Sequence, residues 1–198
     1  APFAGAELER DDRGLLAPAR IAALPAAERA AWERYLAASR EARARDQASM
    51  AAELRALGRD RMAPAPLARS SFAVTRAMTG AWLLSDSARR IADALLTYQT
   101  ASGGWSKRVD YAVGARKPGQ SYFPESDRWR YIDTLDNGPP TAELRFLARM
   151  DSARTPAGEP RWREAFGRGL GWLLAAQLPT GCWPQVWPLQ GEYHDAAT

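Results

Sequence analysis

The segment YIDTLDNGPPTAELRF, residues 131–146, places two aspartates and an asparagine directly ahead of a predicted helix. Asp133, Asp136 and Asn137 present carboxylate and amide oxygens from a loop that Gly138 can bend. Oxygen ligands of this kind suit a hard cation such as calcium. The same residues also suit an Asx turn followed by a helix cap, which needs no metal. Both interpretations stay open at this point.

A second group of polar residues, Lys107, Arg108 and Asp110, follows a glycine–tryptophan turn. A basic pair beside a carboxylate could bind an acidic sugar, or it could be a surface ion pair that contributes little stability. The only histidine, His194, stands beside Asp195 near the end of the chain. A single histidine in such a place is more often incidental than catalytic.

Motifs of several enzyme classes are absent from the sequence. It contains no G-x-S-x-G nucleophile segment, no Walker phosphate-binding loop and no dinucleotide-binding fingerprint. The single cysteine, Cys182, excludes an internal disulfide and a cysteine-based zinc site. Paired carboxylates for glycoside hydrolysis are not excluded, because no spacing in sequence defines them.

Two copies of one pattern frame these polar residues. The segments LLTYQTASGGW and LLAAQLPTGCW lie 78 residues apart and share a glutamine, a glycine and a tryptophan. These are Gln99, Gly103 and Trp105 in the first copy, and Gln177, Gly181 and Trp183 in the second. We predict that each copy ends a helix. The glycine takes a positive φ, the tryptophan packs back over the helix end, and the glutamine hydrogen-bonds loop backbone. Stacked helix pairs in toroids use such repeats.

Residues 1–75 are predicted to form an N-terminal helical segment and a linker. Residues 1–24 read as loop with one short helix. Good helix formers fill residues 25–58, between Pro25 and Gly58. Trp32, Tyr35 and Leu36 give this helix an apolar stripe that thins beyond residue 38, so we expect it to be half exposed. Prolines in residues 62–71 predict a linker.

The remaining residues also favour helices joined by long loops, with no convincing strand pair. Helices are predicted from Ser85 or Ser87, from Thr141 and from Pro160. Residues 101–138 form an irregular stretch whose length is more typical of a functional loop. The core face predicted for the last helix comprises Trp162, Phe166, Leu170, Leu173 and Leu174. Gly169 and Gly171 within it predict close packing against a neighbour. The fold class is therefore all-α.

Composition restricts the partners of the chain. Its 198 residues are 46% hydrophobic and 25% charged, an ordinary globular balance. The formal charge of +4 comes almost entirely from arginine and suits an anionic partner, although solvated faces of an arginine- and alanine-rich chain are the simpler explanation. No dense basic stripe or zinc-finger spacing favours nucleic acid. No apolar run is long enough to span a membrane.

Three segments together resemble the pectate lyases of polysaccharide lyase family 10. They are YQTASGGWSK, TLDNGPPTAELRFLAR and AFGRGLGWLLAAQLPTGCWPQVWPL with the following YHD. The similarity as a whole extends over roughly residues 82–195. The resemblance implies a partial (α/α)3 toroid, with residues 76–198 as the N-terminal portion of its domain. It also implies calcium-dependent β-elimination of polygalacturonate, a secreted or periplasmic location, and a monomer when the domain is complete.

The resemblance also implies roles for individual residues. Asp136 matches the aspartate of the family's T-[IL]-D-N-G signature and is expected to bind calcium, together with Asp195. Lys107, Asp110, Asn137 and His194 are expected to contact the substrate. The catalytic base of the family is an arginine in a segment that this sequence does not contain. The chain ends within the histidine stretch, so we expect it to be the N-terminal part of a lyase domain.

Several positions depart from the family pattern. Arg108 stands where asparagine is usual, Pro139 and Pro140 replace Ala-Thr, Cys182 replaces glycine, and Ala196 stands where a second histidine is expected. Two alternative functions therefore stay open. One is a module that binds acidic polysaccharide without cleaving it. The other, less favoured, is an isoprenoid cyclase-like toroid, whose D-x-D-D or D-D-x-x-D cluster the chain lacks.

Overall fold

The computed structural model describes residues 16–125, 133–136, 138–154 and 159–190. Its elements are α1 (Pro18–Ala22), α2 (Ala26–Ala56), α3 (Ala81–Leu84), α4 (Asp86–Thr97), a 3-10 helix (Tyr111–Val113), α5 (Thr141–Ala153) and α6 (Pro160–Ala175). Within these residues, extended pairing is limited to isolated bridges, so the all-α prediction is confirmed. No described helix is long and apolar enough to cross a membrane. The toroid stays a prediction of the resemblance, and so does the domain boundary near residue 75.

The predicted helix ends agree with the structure. Gly58 follows the end of α2 with a φ of 63°. Ser85 caps α4, because its hydroxyl accepts a hydrogen bond from the Ala88 amide at 3.2 Å. Pro160 is the first residue of α6. These signals are local, so the sequence reveals them without knowledge of the packing.

The main core lies between α4, α5 and α6. Its largest fully buried side chains include Leu95, Tyr98, Trp105, Phe146 and Trp162. A second cluster packs α2 against the end of α6 and residues 178–189. Three residues of the following loop, Trp105, Val109 and Tyr111, are buried in the main core with these helices.

The predicted core face of α6 is wrong in part. Leu170 is 39% exposed and Leu174 is 62% exposed. The buried face is instead formed by Trp162, Ala165, Gly169 and Trp172. Small residues at its centre allow close approach to Trp105.

Gly169 confirms the close packing that was predicted for this helix. A Cβ there would lie only 2.4 Å from Cζ3 of Trp105. Gly171 does not confirm it, because a Cβ at that position would meet no neighbouring segment within 4 Å.

The contact face of α2 extends further than its apolar stripe. Ser39, Ala42, Asp46, Met50 and Leu54 are all buried and continue the helical spacing that begins at Tyr35. Two of these residues are polar, so a search for apolar periodicity ends the face too early. They are buried because each has a partner, as in the hydrogen bond from the Leu189 amide to Ser39 Oγ at 2.8 Å.

The two predicted turns have the same backbone and glutamine geometry. Gly103 has a φ of 109° and Gly181 a φ of 91°. In each copy the glutamine Nε2 donates to the carbonyl of this glycine at 2.8 Å, from Gln99 in the first and Gln177 in the second. The predicted roles of both residue types are confirmed.

The two tryptophans also act alike. Trp105 Nε1 donates to the carbonyl of Leu95 at 2.9 Å, and Trp183 Nε1 donates to the carbonyl of Leu173 at 2.9 Å. Each indole therefore folds back over the last turn of its helix and satisfies a carbonyl there. This confirms the structural role predicted for the repeat.

Candidate functional site

An ion pair between Lys107 and Asp136 joins the two polar groups that the sequence singled out. Lys107 Nζ lies 2.7 Å from Asp136 Oδ2. The side chains are 23% and 36% exposed, respectively. Both charges can therefore reach a ligand in solution, and each restricts the position of the other. Residues 29 positions apart in sequence thus form one small site of mixed charge.

Both turns contribute to the position of this pair. Lys107 directly follows the first turn, and the carbonyl of Trp105 accepts a hydrogen bond from the Thr134 amide at 3.2 Å. The loop of residues 133–136 also contacts the segment that follows the second turn. Thr134 Oγ1 donates to the Gln185 carbonyl at 2.8 Å, and the Leu135 amide donates to the same carbonyl at 2.7 Å. The loop that presents Asp136 is therefore held between the two copies of the repeat.

Asp133 does not join Asp136 in a cation site. Its side chain is only 1% exposed. Oδ2 of Asp133 lies 2.7 Å from Thr100 Oγ1 and 2.8 Å from Ser102 Oγ. Burial raises the pKa of Asp133 well above its ordinary value, and the nearby carboxyl of Asp46 raises it further. The interpretation of Asp133 as a cation ligand is therefore wrong. It is part of a buried polar network.

Asp46 of α2 completes this network. One of its oxygens accepts from the Ser102 amide at 2.7 Å, and the other lies 2.7 Å from Ser102 Oγ. Burial raises the pKa of Asp46 to about 6, while the hydrogen bonds from Ser102 oppose that rise. A serine hydroxyl has one hydrogen to donate, yet Ser102 Oγ contacts a carboxyl oxygen of Asp46 and one of Asp133. The geometry therefore suits a pair of acids that retains a proton.

The sequence did not single out Asp46 or its partner Ser102. The available signal was the position of Asp46, which continues the buried face of α2 eleven residues after Tyr35. An acidic residue in such a place needs either a proton or a partner. Asp46 has its partner in Ser102, which comes from a loop more than fifty residues away.

Glu143 is a further buried acid, in the first turn of α5. The hydroxyl of Tyr111 donates to its Oε1 at 3.2 Å. Burial raises the pKa of Glu143 to about 8. This contact ties the start of α5, which follows the Asp136 loop, to the 3-10 helix after Lys107. Glu143 thus holds together two segments that flank the site. Its side chain is buried, so it does not reach a ligand itself.

The remaining predicted site residues are not joined to the ion pair. The carboxylate of Asp110 accepts from the Ala112 amide at 3.1 Å and caps the 3-10 helix. Its role in substrate binding stays a prediction. Asn137, His194 and Asp195 lie outside the described residues, so their roles also stay predictions. In the part of the chain that the structure describes, no group of three or more His, Cys, Asp or Glu residues could hold a metal ion.

Comparison with known proteins identifies one family. A family model described as pectic acid lyase matches residues 99–198, half of the chain. The matched region contains both turns from their glutamines onward, the Lys107–Asp136 pair, and helices α5 and α6. Helices α1 to α4 precede it, including α2 with Asp46. No curated protein matches the chain.

Proposed function

Because the chain belongs to the pectic acid lyase family, we propose that it acts on polygalacturonate by calcium-dependent β-elimination. We further propose that it is a member of polysaccharide lyase family 10, on the strength of the three segments quoted above. The observation that carries the proposal is the ion pair between Lys107 and Asp136, at 2.7 Å and accessible to solvent. A secreted or periplasmic location is part of the same proposal, since pectin lies outside the cell that degrades it.

The chemistry of the substrate explains why both charges are useful. Elimination removes the proton at C5, which is alpha to a uronate carboxylate and only weakly acidic. Neutralising that carboxylate lowers the energy of the enolate-like intermediate. Lys107 provides a positive charge that can contact the carboxylate directly. Asp136 repels it, so a cation between the two carboxylates would favour binding.

Calcium fits the described residues only in part. Ca²⁺ takes six to eight oxygen ligands in proteins, and Asp136 supplies one accessible carboxylate. The other ligands would come from uronate carboxylates, from water, and from Asn137 and Asp195, whose positions are not described. When bound, the ion would neutralise charge on the substrate carboxylate. Within the protein, Asp136 would hold the ion and Lys107 would orient the uronate.

Binding without cleavage is the second candidate function. None of the residues in the described site is assigned to proton removal. The ion pair offers a uronate carboxylate a positive charge, and binding alone needs no base. Cleavage and binding must therefore be measured separately.

The test is the ultraviolet absorbance of the unsaturated product when the full chain is incubated with polygalacturonate, with calcium or with EDTA. We expect the absorbance to rise in the presence of calcium and not in the presence of EDTA. Lys107→Ala should lower the rate about 10- to 100-fold, the effect of losing one charged hydrogen bond. Lys117→Ala is a matched control, because Lys117 is the only other lysine and is exposed on another part of the loop.

Each alternative outcome has a distinct meaning. An equal rise with EDTA contradicts the calcium requirement. No rise, with calcium-dependent binding that Lys107→Ala weakens, selects the binding module. Equal effects of Lys107→Ala and Lys117→Ala remove Lys107 from the site. If the chain neither cleaves nor binds polygalacturonate, both candidate functions are wrong.

A further inference from the structure

A basic groove of about 840 Å³ adjoins the loops that carry Lys107 and Asp136. Residues 69–74 form one wall and the first turns of α5 form the other. Arg108, directly after Lys107, and Gly138, two residues after Asp136, also line the groove. The charged residues that line the groove are Arg69, Arg108, Arg145 and Arg149. Its described lining includes no carboxylate.

Three of these arginines have no ionic partner within the described part of the chain. Only Arg108 is paired, with its Nη1 at 2.6 Å from Glu125 Oε1. Arg69, Arg145 and Arg149 are exposed. Arg145 and Arg149 are four residues apart on α5 and therefore lie on the same face, where like charges destabilise a helix. An anionic ligand would remove that repulsion.

The start of α5 adds to the positive potential of the groove. Thr141 and Ala142, its first two residues, line the groove together with Arg145. The first amides of a helix carry partial positive charge and favour an anion. This contribution, Arg145 and Arg149 all come from α5, so a row of anions along α5 would meet both the helix start and these two arginines.

The wall that carries Arg69 is fixed to the Lys107 loop. The Ala68 amide donates to the Arg108 carbonyl at 2.9 Å, and Arg108 Nε donates back to the Ala68 carbonyl at 3.3 Å. Arg108 makes these contacts with a φ of 59°. This left-handed conformation is unfavourable for a long side chain and is tolerated better by asparagine. The groove and the ion pair therefore share one rigid connection.

We propose that this groove binds the carboxylates of additional uronate residues in the same polysaccharide chain that contacts Lys107 and Asp136. The inference rests on the proposed function and extends its binding surface. A polyuronate carries one carboxylate on each sugar, and the groove presents several guanidinium groups to such a row. Segment 69–74 precedes the family match at residues 99–198, so one wall of this subsite comes from outside the matched region.

The test compares galacturonate oligomers of two lengths by calorimetry on the full chain, in one calcium-containing buffer. The double variant Arg145→Gln/Arg149→Gln should weaken binding of a long oligomer about 10-fold, equivalent to about 1.4 kcal/mol. Binding of a trimer, which offers few carboxylates beyond those at the ion pair, should change less than about twofold. The matched control is Arg34→Gln/Arg40→Gln. It removes two exposed arginines of α2, which do not line the groove.

The outcomes separate this inference from the proposed function. If the unmodified chain binds neither oligomer, the proposed function fails. If it binds both and the α5 variant binds the long oligomer normally, the groove inference alone is wrong. An equal loss in the α2 control would also overturn it, since net charge would then explain the effect. Tighter binding of a DNA oligonucleotide of equal charge would assign the groove to another class of ligand and overturn the inference.

Discussion

The two glutamine–glycine–tryptophan turns have the same internal hydrogen bonds but different surroundings. In the first, a Cβ at Gly104 would lie 2.6 Å from Cγ of Asp133 and 2.6 Å from Cε2 of Trp172. The equivalent residue of the second turn is Cys182, which is exposed. The second glycine of the pattern is therefore required by packing and not by the turn. This explains why the second copy can carry a larger residue there.

The glutamines differ in the same way. Both bind the glycine carbonyl of their own turn. Gln99 also donates from Nε2 to the Ala165 carbonyl at 2.8 Å, and its Oε1 accepts from Arg168 Nη2 at 2.6 Å. No such contact to another helix exists for Gln177 in the described structure. The first turn is thus a buried junction with α6, whereas the second is a local structure near the surface.

The two turns should differ most in the loss of stability that follows substitution of the residue after the turn glycine. Gly104→Cys should lower the free energy of unfolding by about 3 kcal/mol, because the new side chain overlaps Asp133 and Trp172. The reciprocal Cys182→Gly should cost less than about 1 kcal/mol, mainly in backbone entropy. Urea denaturation of both variants measures this. Similar losses would contradict the view that packing distinguishes the two turns.

A smaller difference is expected for the glutamines. Gln99→Ala should cost about 2 kcal/mol, since buried carbonyls of Gly103 and Ala165 lose their donor. Gln177→Ala should cost about 0.5 kcal/mol, because its partner can bind water instead. Thermal unfolding at one pH compares them. A cost for Gln177→Ala as large as that for Gln99→Ala would mean that the turn itself, and not the junction with α6, requires the glutamine.

The third expected effect is a dependence on pH that belongs to the first turn. The raised pKa of Asp46, about 6, means that the folded protein retains a proton that the unfolded chain releases. The contribution of Asp46 to stability is therefore greatest below about pH 4 and falls as the pH rises from about 4 to 6, by at most about 1.4 kcal/mol per pH unit for one proton. Asp133 shares this titration because the two acids interact.

Asp46→Asn should make the fall between about pH 4 and 6 less steep without abolishing it, because the pKa values of Asp133 and Glu143 are also raised in the folded protein. A further fall towards pH 8 should remain, since the pKa of Glu143 is raised to about 8 in the folded protein. Asp60→Asn, at an exposed aspartate outside the network, controls for net charge. Denaturant midpoints across this pH range provide the measurement. An unchanged slope in Asp46→Asn would contradict a raised pKa of Asp46 in the folded protein.

Signals that act within a few residues were visible in the sequence. The cap at Ser85, the start of α6 at Pro160, and the contacts of Gln99 and Trp105 with their own helix end were all predicted and confirmed. Each depends on backbone geometry that neighbouring residues determine. Lys107 and Asp136 were also singled out, but their 2.7 Å contact depends on how two loops meet.

Tertiary packing decided which face of a helix is buried and which acids are accessible. Leu170 and Leu174 looked like core residues and are exposed, because small residues let Trp105 approach α6 on another side. Asp133 and Asp136 look alike in sequence, yet one is buried against Ser102 and the other faces solvent. The sequence by itself determined the helices and their turns, since those hydrogen bonds close over short distances. Only the assembled helices determined the environment of each carboxylate, because burial depends on residues that are distant in the chain.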